Sequence, residues 1–208
     1  MRNSTKKAGN GRAGDGRGRG RPRTFDPDTA LGAAAERFRA QGYSGTSLDD
    51  LAAATRLNRP SLYSAFGDKK SLYLAALART HARAERGFAR LAEADLPPRP
   101  MLERFFTAVI DGYLTGENGP AGCLFISTAT TESVSDPEVR AAITHFLAME
   151  DAQIERLLRN AGSAAPELQA RIVTAMVHSL SVRARAGAPR DELIDVAQDC
   201  IDLIAPAV

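Results

Sequence analysis

The chain has 208 residues, of which 44% are apolar, enough to build a hydrophobic core. Residues 1–24 carry eight Lys and Arg against Asp15, a net charge of +7, whereas residues 25–208 carry 19 cations and 24 anions. This asymmetry predicts a polyanionic partner. Two cysteines cannot form a disulfide framework, and no run of apolar residues is long enough to span a membrane. We therefore expect a cytoplasmic protein without membrane association.

Residues 1–23 are rich in Gly, Arg, Lys, Asn and Ser and contain almost nothing that could be buried, which predicts a disordered basic arm. The segment 17–23 reads RGRGRPR and contains the Gly-Arg-Pro core of AT-hook peptides. It predicts that Arg19, Arg21 and Arg23 enter a narrow minor groove of DNA. The alternative is a solubilising tail that contacts phosphates without specificity.

From Phe25 onward the apolar residues recur with helical spacing, which predicts an all-α protein of about nine helices. Cap residues and glycines delimit the first four helices. Their expected starts and ends are Asp26 and Gly42, Ser47 and Thr55, Asn58 and Phe66, and Asp68 and Ala92.

A proline cluster at positions 97, 98 and 100 separates these helices from five more. The fifth helix carries a broad apolar stripe from Met101 to Tyr113, and a short sixth helix begins near Cys123. A long helix follows Pro137, and two final helices open at Pro166 and Pro189. The apolar sets of the last two helices could form either a core seam or a seam with a partner.

The second and third helices have the proportions of a helix-turn-helix, in which the second of the two enters the major groove. The third helix offers polar groups and a planar ring to base edges, and the helix starts offer phosphate partners. The residues expected at this surface are Thr46, Ser47, Arg59, Ser61, Tyr63, Lys69 and Lys70.

The run from Gly20 to Leu77 contains "GYSGTSLDDLA" followed by "SLYSAFGDK" and closely resembles the DNA-binding domain of the TetR family of transcriptional repressors. Beyond about residue 80 the resemblance rests on helix count, on "GCLF" and on chain length. It implies an obligate dimer that binds a palindromic operator and releases it when a small molecule occupies the C-terminal domain. By position, Thr46, Arg59, Ser61, Tyr63 and Lys69 match DNA-contacting places in the family motif.

Arg56 departs from the family pattern, which usually has Gly in the turn of the motif. If the turn requires a positive φ, a side chain costs on the order of 1 kcal/mol. A phosphate contact from Arg56 would offset that cost.

The expected organisation has three parts: a disordered arm over residues 1–23, a helix-turn-helix domain over 24–72, and an effector-binding and dimerisation domain over 73–208. The last two helices of each subunit are expected to form a four-helix seam in a homodimer. The resemblance also implies a cavity, and a bundle with few buried charges favours an apolar or aromatic effector with one or two polar anchors.

The residues expected to line that cavity lie on the middle helices, where most of them could equally be core. They are Phe105, Phe106, Tyr113, Cys123, Ser127, Thr130, His145, Met149 and Met176. Cys123 follows Gly122 at an expected helix start, where backbone N–H groups could stabilise a thiolate and make it a sensor of electrophiles or oxidants. The alternative for Cys123 is simple packing.

Other classes of function have less support. No paired acid and base, nucleophile motif or cofactor loop is present, so we expect neither an enzyme nor a cofactor. His81, His145 and His178 lack the spacing of metal ligands, so no metal is expected. A non-specific architectural DNA-binding protein that uses its basic arm is the remaining rival.

Overall fold

The computed structural model describes residues 25–117 and 119–206, which form nine helices and no strand, so the all-α expectation is confirmed. The sixth helix, α6, begins as a π-helical turn over Phe125–Ala129 and ends as an α-helical turn over Thr130–Glu132. The other helices are α1 Pro27–Gln41, α2 Leu48–Thr55, α3 Arg59–Phe66, α4 Lys69–Ala92, α5 Pro98–Leu114, α7 Pro137–Asn160, α8 Pro166–Arg185 and α9 Arg190–Ile204. The arm expected over residues 1–23 lies outside the described residues.

The expected cap residues start the first four helices. The Asp26 carboxylate accepts from the N–H groups of Asp28 and Thr29, and Ser47 forms a reciprocal capping box with Asp50. Asn58 caps α3 and Asp68 caps α4 in the same way. Each cap satisfies backbone N–H groups that have no partner inside the helix, so short polar residues fix where these helices begin.

Helices α1, α2 and α3 form a small unit that α4 connects to the rest of the chain. Phe38, Leu51 and Leu62 are buried at its centre, and α1 packs on both α2 and α4. The domain boundary expected between residues 72 and 73 falls inside α4, which runs unbroken from the helix-turn-helix to a contact with α7. Helix α4 is therefore shared by both parts.

The remaining helices pack as a bundle in which α8 contacts α5, α7 and α9. Leu102, Ile110, Leu158 and Leu180 are fully buried there. The sequence predicts an ordinary short helix near Cys123, but the helix starts at Phe125 with a π-helical turn, which periodicity over so few residues cannot indicate.

Gly122 precedes this helix with a φ of +66°, and a Cβ at this position would lie 2.7 Å from the Ser181 carbonyl oxygen. The position therefore requires glycine for both its conformation and its close approach to α8. None of the described helices combines the length and the apolar character that crossing a bilayer requires.

Candidate nucleic-acid interface and ligand cavity

The turn between α2 and α3 depends on a left-handed residue. Arg56 has φ of 57° and ψ of 30°. The turn therefore has the positive φ at which a side chain is costly. The Arg56 N–H donates to the Ala53 carbonyl at 3.3 Å, and the Leu57 N–H donates to the Ala52 carbonyl at 3.1 Å. These bonds end α2 and set the direction in which α3 leaves.

Helix α3 presents one polar face to solvent. Arg59 and Ser64 are exposed and the Tyr63 ring is 48% exposed, whereas Leu62 is buried. Ser61 is half-buried, and its N–H donates to the Asn58 side chain at 2.8 Å. The face can therefore bring a guanidinium, hydroxyls and one aromatic ring to the floor of a major groove.

Arg59 is already engaged by a carboxylate. Its Nε and Nη2 atoms lie 2.7 and 2.5 Å from the two oxygens of Asp49 on α2. The hydrogen bonds from Arg59 hold the pKa of Asp49 below its usual value. A base edge or phosphate must replace Asp49 before Arg59 can make a bidentate contact with DNA.

Thr46 and Ser47 immediately precede α2, and their hydroxyls form hydrogen bonds within the protein. Thr46 is 1% exposed and donates from its hydroxyl to the Gly42 carbonyl at 2.6 Å. Ser47 is exposed, and its hydroxyl lies 2.6 Å from the Asp50 carboxylate. In this arrangement Ser47 is the more accessible of the two to a phosphate.

The two lysines at the start of α4 have different surroundings. The Lys69 ammonium lies 4.4 Å from the centre of the Tyr43 ring, a cation–π contact that leaves its charge without a carboxylate partner among the described residues. Lys70 lies 2.8 Å from Asp136 and 3.4 Å from Glu138, and its hydrogen bond to Asp136 raises the pKa of Lys70. Lys70 thus joins the start of α4 to the start of α7. The remaining predicted DNA contacts, Arg19, Arg21 and Arg23, lie outside the described residues.

A cavity of about 480 Å³ lies among α1, α4, α5, the loop before α6, α7 and α8. This volume falls in the range of drug-sized ligand sites. Three of the nine residues expected to line it do so, namely Phe105, Tyr113 and Cys123. Burial raises the pKa of the Tyr113 hydroxyl well above its usual value, so it is a neutral hydrogen-bonding group.

The other six expected residues are not part of this cavity lining. Phe106 and Met149 are buried and Met176 is half-buried. Ser127 and Thr130 donate to the Ala121 and Ile126 carbonyls. His145 is exposed and stacks on His81, with 4.8 Å between the rings. Helical spacing identifies the apolar side of a helix, but it cannot show which part of that side faces a void.

Sequence reasoning also missed the charged residues of the cavity. Its lining includes five arginines and two glutamates, among them Glu150, which is only 6% exposed. Glu150 lies 3.0 Å from His178 Nε2 on α8. The four-residue interval between Arg79 and Arg83 places both on one face of α4, a signal that the sequence offers.

Cys123 lines the cavity but has a poorly stabilised thiolate. Burial raises the pKa of the Cys123 thiol to about 11, and the negative charge of Glu150 adds to this effect. Backbone N–H groups of Ile126 and Phe125 lower the pKa by less than burial raises it. Burial also raises the pKa of Cys200 to about 11, so the advantage expected for Cys123 from its helix start is absent.

Arg39 connects α1 to the cavity wall. Its Nη1 donates to the Gly112 and Gly122 carbonyls, each at 3.1 Å, and its Nη2 lies 2.6 Å from Glu36. From α8, Arg185 Nη1 donates to the carbonyl of Arg39 at 2.6 Å. Helix α1 is thereby held to α5, to the loop before α6 and to α8.

The last two helices expose large apolar side chains. Leu168 and Val182 on α8 are 55% and 60% exposed, and Leu203 on α9 is 72% exposed. Ile172 on α8 and Val196 on α9 are half-buried. Exposed apolar residues along two adjacent helices are typical of a protein–protein contact.

Within the described ranges no three His, Cys, Asp or Glu side chains are grouped as a metal would require. Residues 30–76 match the family described as bacterial regulatory proteins, tetR family, and residues 98–204 match the tetracyclin repressor-like C-terminal domain.

Two bacterial repressors are similar to this chain along most of its length. The transcriptional repressor ComR of Escherichia coli is 32% identical over 187 residues, covering 86% of this chain and 89% of ComR. The repressor BdcR of the same organism is 26% identical over 179 residues, covering 86% of this chain and 88% of BdcR.

Solved structures share the fold. A cysteine mutant of the regulator CifR, complexed with 26bp operator DNA, superposes with a TM-score of 0.72 at 27% identity, over 87% of this chain and 98% of CifR. Reduced NemR of Escherichia coli gives a TM-score of 0.74 at 19% identity, over 88% of this chain and 100% of NemR.

Proposed function

Because the chain belongs to the tetR family of bacterial regulatory proteins, it is a DNA-binding transcriptional regulator and not an enzyme, and we propose that it is a homodimeric repressor released from a palindromic operator by a small molecule. In this proposal residues 24–72 read DNA and residues 73–208 bind the effector and the second subunit. Helix α4 belongs to both parts because it crosses residue 72.

The α3 face supports the DNA-reading part of the proposal. Arg59 and Tyr63 are exposed on a helix that two caps and a left-handed turn hold in place. CifR, which shares the fold, is complexed with operator DNA. We propose that Arg59 exchanges Asp49 for DNA, that Tyr63 contacts bases or backbone, and that Lys69 contacts a phosphate.

The dimer is proposed to form through α8 and α9. Leu168, Val182 and Leu203 would be buried between two copies, together with the half-buried apolar residues beside them. A twofold axis through this seam places two α3 helices on one duplex, and the symmetry of the protein then requires a palindromic site.

The observation that carries effector control is that α1 forms one wall of the cavity. Ala35, Glu36 and Arg39 of this helix line the cavity, while Phe38 on the same helix packs in the core of the DNA-binding unit. A molecule that contacts α1, α4 and α5 together can favour one packing of α1 over another, which is the differential binding that a population shift requires.

Selection of DNA from a random pool by the full chain tests the proposal. We expect a palindromic consensus bound at least about a thousandfold more tightly than unrelated DNA. Equal binding of all sequences would instead identify an architectural protein and contradict the proposal.

Covalent sensing through Cys123 is a second candidate, favoured by the position of this residue in the cavity lining. The raised pKa of the thiol opposes it, because the thiolate is the reacting species. We therefore propose non-covalent binding as the main mode.

A further inference from the structure

The charges of the cavity divide into paired and unpaired groups. Arg39 pairs with Glu36, and Arg79 pairs with Asp28. Arg83, Arg90 and Arg104 also line the cavity, and within residues 25–117 and 119–206 none of them forms an ion pair. Three cationic groups that have no carboxylate partner in the described part of the chain therefore border one concave site.

These three arginines lie at the outer edge of the cavity. Arg83 and Arg90 are exposed on one face of α4, and Arg104 is exposed on α5. We call these three residues the arginine rim. A cluster of like charges beside an apolar surface focuses a positive potential there and raises the local concentration of anions. Guanidinium groups also match the geometry of carboxylates and phosphates.

The inner lining of the cavity has the opposite character. Phe88, Leu91, Phe146 and Val177 line it and are buried. An apolar chain or ring inserted here would leave water at a gain of about 25 cal/mol for each Å² of apolar surface. The cavity thus combines a cationic rim with an apolar interior.

Glu150 is the buried acidic residue of the cavity lining. Its carboxylate is buried in the lining beside Cys123 and Tyr113, and its partner is His178. A second negative charge brought next to this carboxylate would be repelled in a poorly solvated site. An anionic headgroup would therefore be disfavoured beside Glu150 and favoured at the arginine rim.

We propose that the effector is an amphipathic organic anion whose apolar body fills the cavity and whose carboxylate or phosphate is bound by Arg83, Arg90 and Arg104. This inference rests on the proposed function and deepens it. It differs from the sequence prediction, which is an apolar or aromatic effector with one or two polar anchors. The polar residues that the sequence offers as candidate anchors are Tyr113, Ser127, Thr130 and His145, and of these only Tyr113 lines the cavity.

Four probes with the same ten-carbon chain test the charge of the headgroup: decanoate, decyl phosphate, decan-1-ol and decyltrimethylammonium. Binding to the full chain is measured by calorimetry below the micelle concentration. We expect at least one of the two anions to bind at least tenfold more tightly than the alcohol, and the cation to bind most weakly. The tighter of the two anions then distinguishes a carboxylate site from a phosphate site. Equal binding of anion and alcohol would overturn the proposal, as would preference for the cation.

Variants test the arginine rim directly. Arg83→Gln and Arg104→Gln should each weaken binding of the preferred anion at least tenfold and leave decan-1-ol unchanged. The matched control is Arg86→Gln, because Arg86 is also exposed on α4 but does not line the cavity. An equal loss in Arg86→Gln, or no loss in Arg83→Gln and Arg104→Gln, would contradict the assignment. Arg83→Lys retains the charge and should recover part of the affinity.

Operator binding by the same preparations separates the two proposals. If the selected palindrome is bound specifically but the anions show no preference over the alcohol, the effector class is wrong and the proposed function stands. If no sequence is preferred, the proposed function fails whatever the probes do.

Discussion

The DNA-binding unit and the cavity differ in how far apart in the chain their residues lie. The described residues expected at the DNA surface all fall between Thr46 and Lys70, whereas the cavity lining extends from Ala35 to Val177. Short-range caps and one turn fix the first, and the packing of distant helices creates the second. A surface built locally is therefore readable from a motif, but a cavity is not.

Both regions contain paired and unpaired cations. At the expected DNA surface Arg59 is paired with Asp49 and Lys70 with Asp136, whereas Lys69 has no carboxylate partner among the described residues. A DNA contact by Arg59 or Lys70 would therefore exchange one ionic partner for another. At the cavity edge Arg83, Arg90 and Arg104 have no such partner among the described residues. Such an exchange at the DNA surface lowers the free energy gained from each of these contacts. It also disfavours DNA groups that cannot take the place of the carboxylate.

The largest expected effect comes from a change outside both regions. Val182→Glu on the exposed face of α8 would bury an unpaired charge in each half of the proposed seam, so we expect monomers and at least about a hundredfold loss of affinity for the palindrome. Sedimentation and DNA titration measure both quantities. Ile201 is unsuitable for this test because it is 2% exposed within the subunit.

The matched control for Val182→Glu is Thr107→Glu on the exposed side of α5, which should leave the dimer intact. A stable Val182→Glu dimer would move the interface elsewhere. The twofold arrangement from which a palindromic site is inferred would then no longer be supported.

Two neighbouring residues on α3, Tyr63 and Leu62, allow an effect on DNA binding to be distinguished from an effect on stability. Tyr63→Ala should weaken operator binding by about 1–3 kcal/mol and leave the free energy of unfolding within about 0.5 kcal/mol, because the side chain is half-exposed. Leu62→Ala should lower the free energy of unfolding by about 2–5 kcal/mol, because Leu62 is 3% exposed. Chemical denaturation and DNA titration distinguish them, and unfolding of the Tyr63 variant would defeat the assignment.

Deletion of residues 2–23 tests the contribution of the basic arm to the DNA surface. Each phosphate contact removed should make the negative slope of log affinity against log salt shallower by about 0.9. If Arg19, Arg21 and Arg23 enter the minor groove, replacing A·T pairs beside the operator should weaken the full chain more than the shortened one. An unchanged slope would show that the arm does not contact DNA.

The smallest effect is expected at Cys123. Its thiol lines the cavity, but burial keeps the thiol protonated and therefore poorly reactive. Cys123→Ser should change operator affinity by no more than about twofold and preserve the response to an effector. With a pKa of about 11, the rate of alkylation should rise about tenfold per pH unit up to that pH, because only the thiolate reacts. Loss of the response in the serine variant, with DNA binding intact, would establish covalent sensing.

The helix boundaries show what the sequence could predict. Asp26, Ser47, Asn58 and Asp68 start helices where expected because a cap acts on N–H groups only two or three residues away. The ends at Phe66 and Ala92 were equally predictable. Information that is local in sequence was sufficient for most of the fold.

The cavity shows what could not be predicted. His145 was expected inside it because it lies on an apolar helix, but it is exposed and stacked on His81. Arg104 was not expected there, because an arginine in a sequence is normally assigned to solvent. Whether a side chain borders a void depends on how five helices pack, and no spacing within one helix contains that information.

The length of helix α4 determines how far a small tilt at one of its ends moves the other end. Its 24 residues form a rod about 36 Å long, with Lys69 at the end beside α3 and Leu91 in the cavity lining at the other end. Tilting such a rod by about 5° around one end displaces the other by about 3 Å, close to a hydrogen-bond length. In the proposed dimer the two displacements would add. A small adjustment around a ligand would then change the distance between the two α3 helices, so that they no longer match successive turns of the double helix, which repeat about every 34 Å.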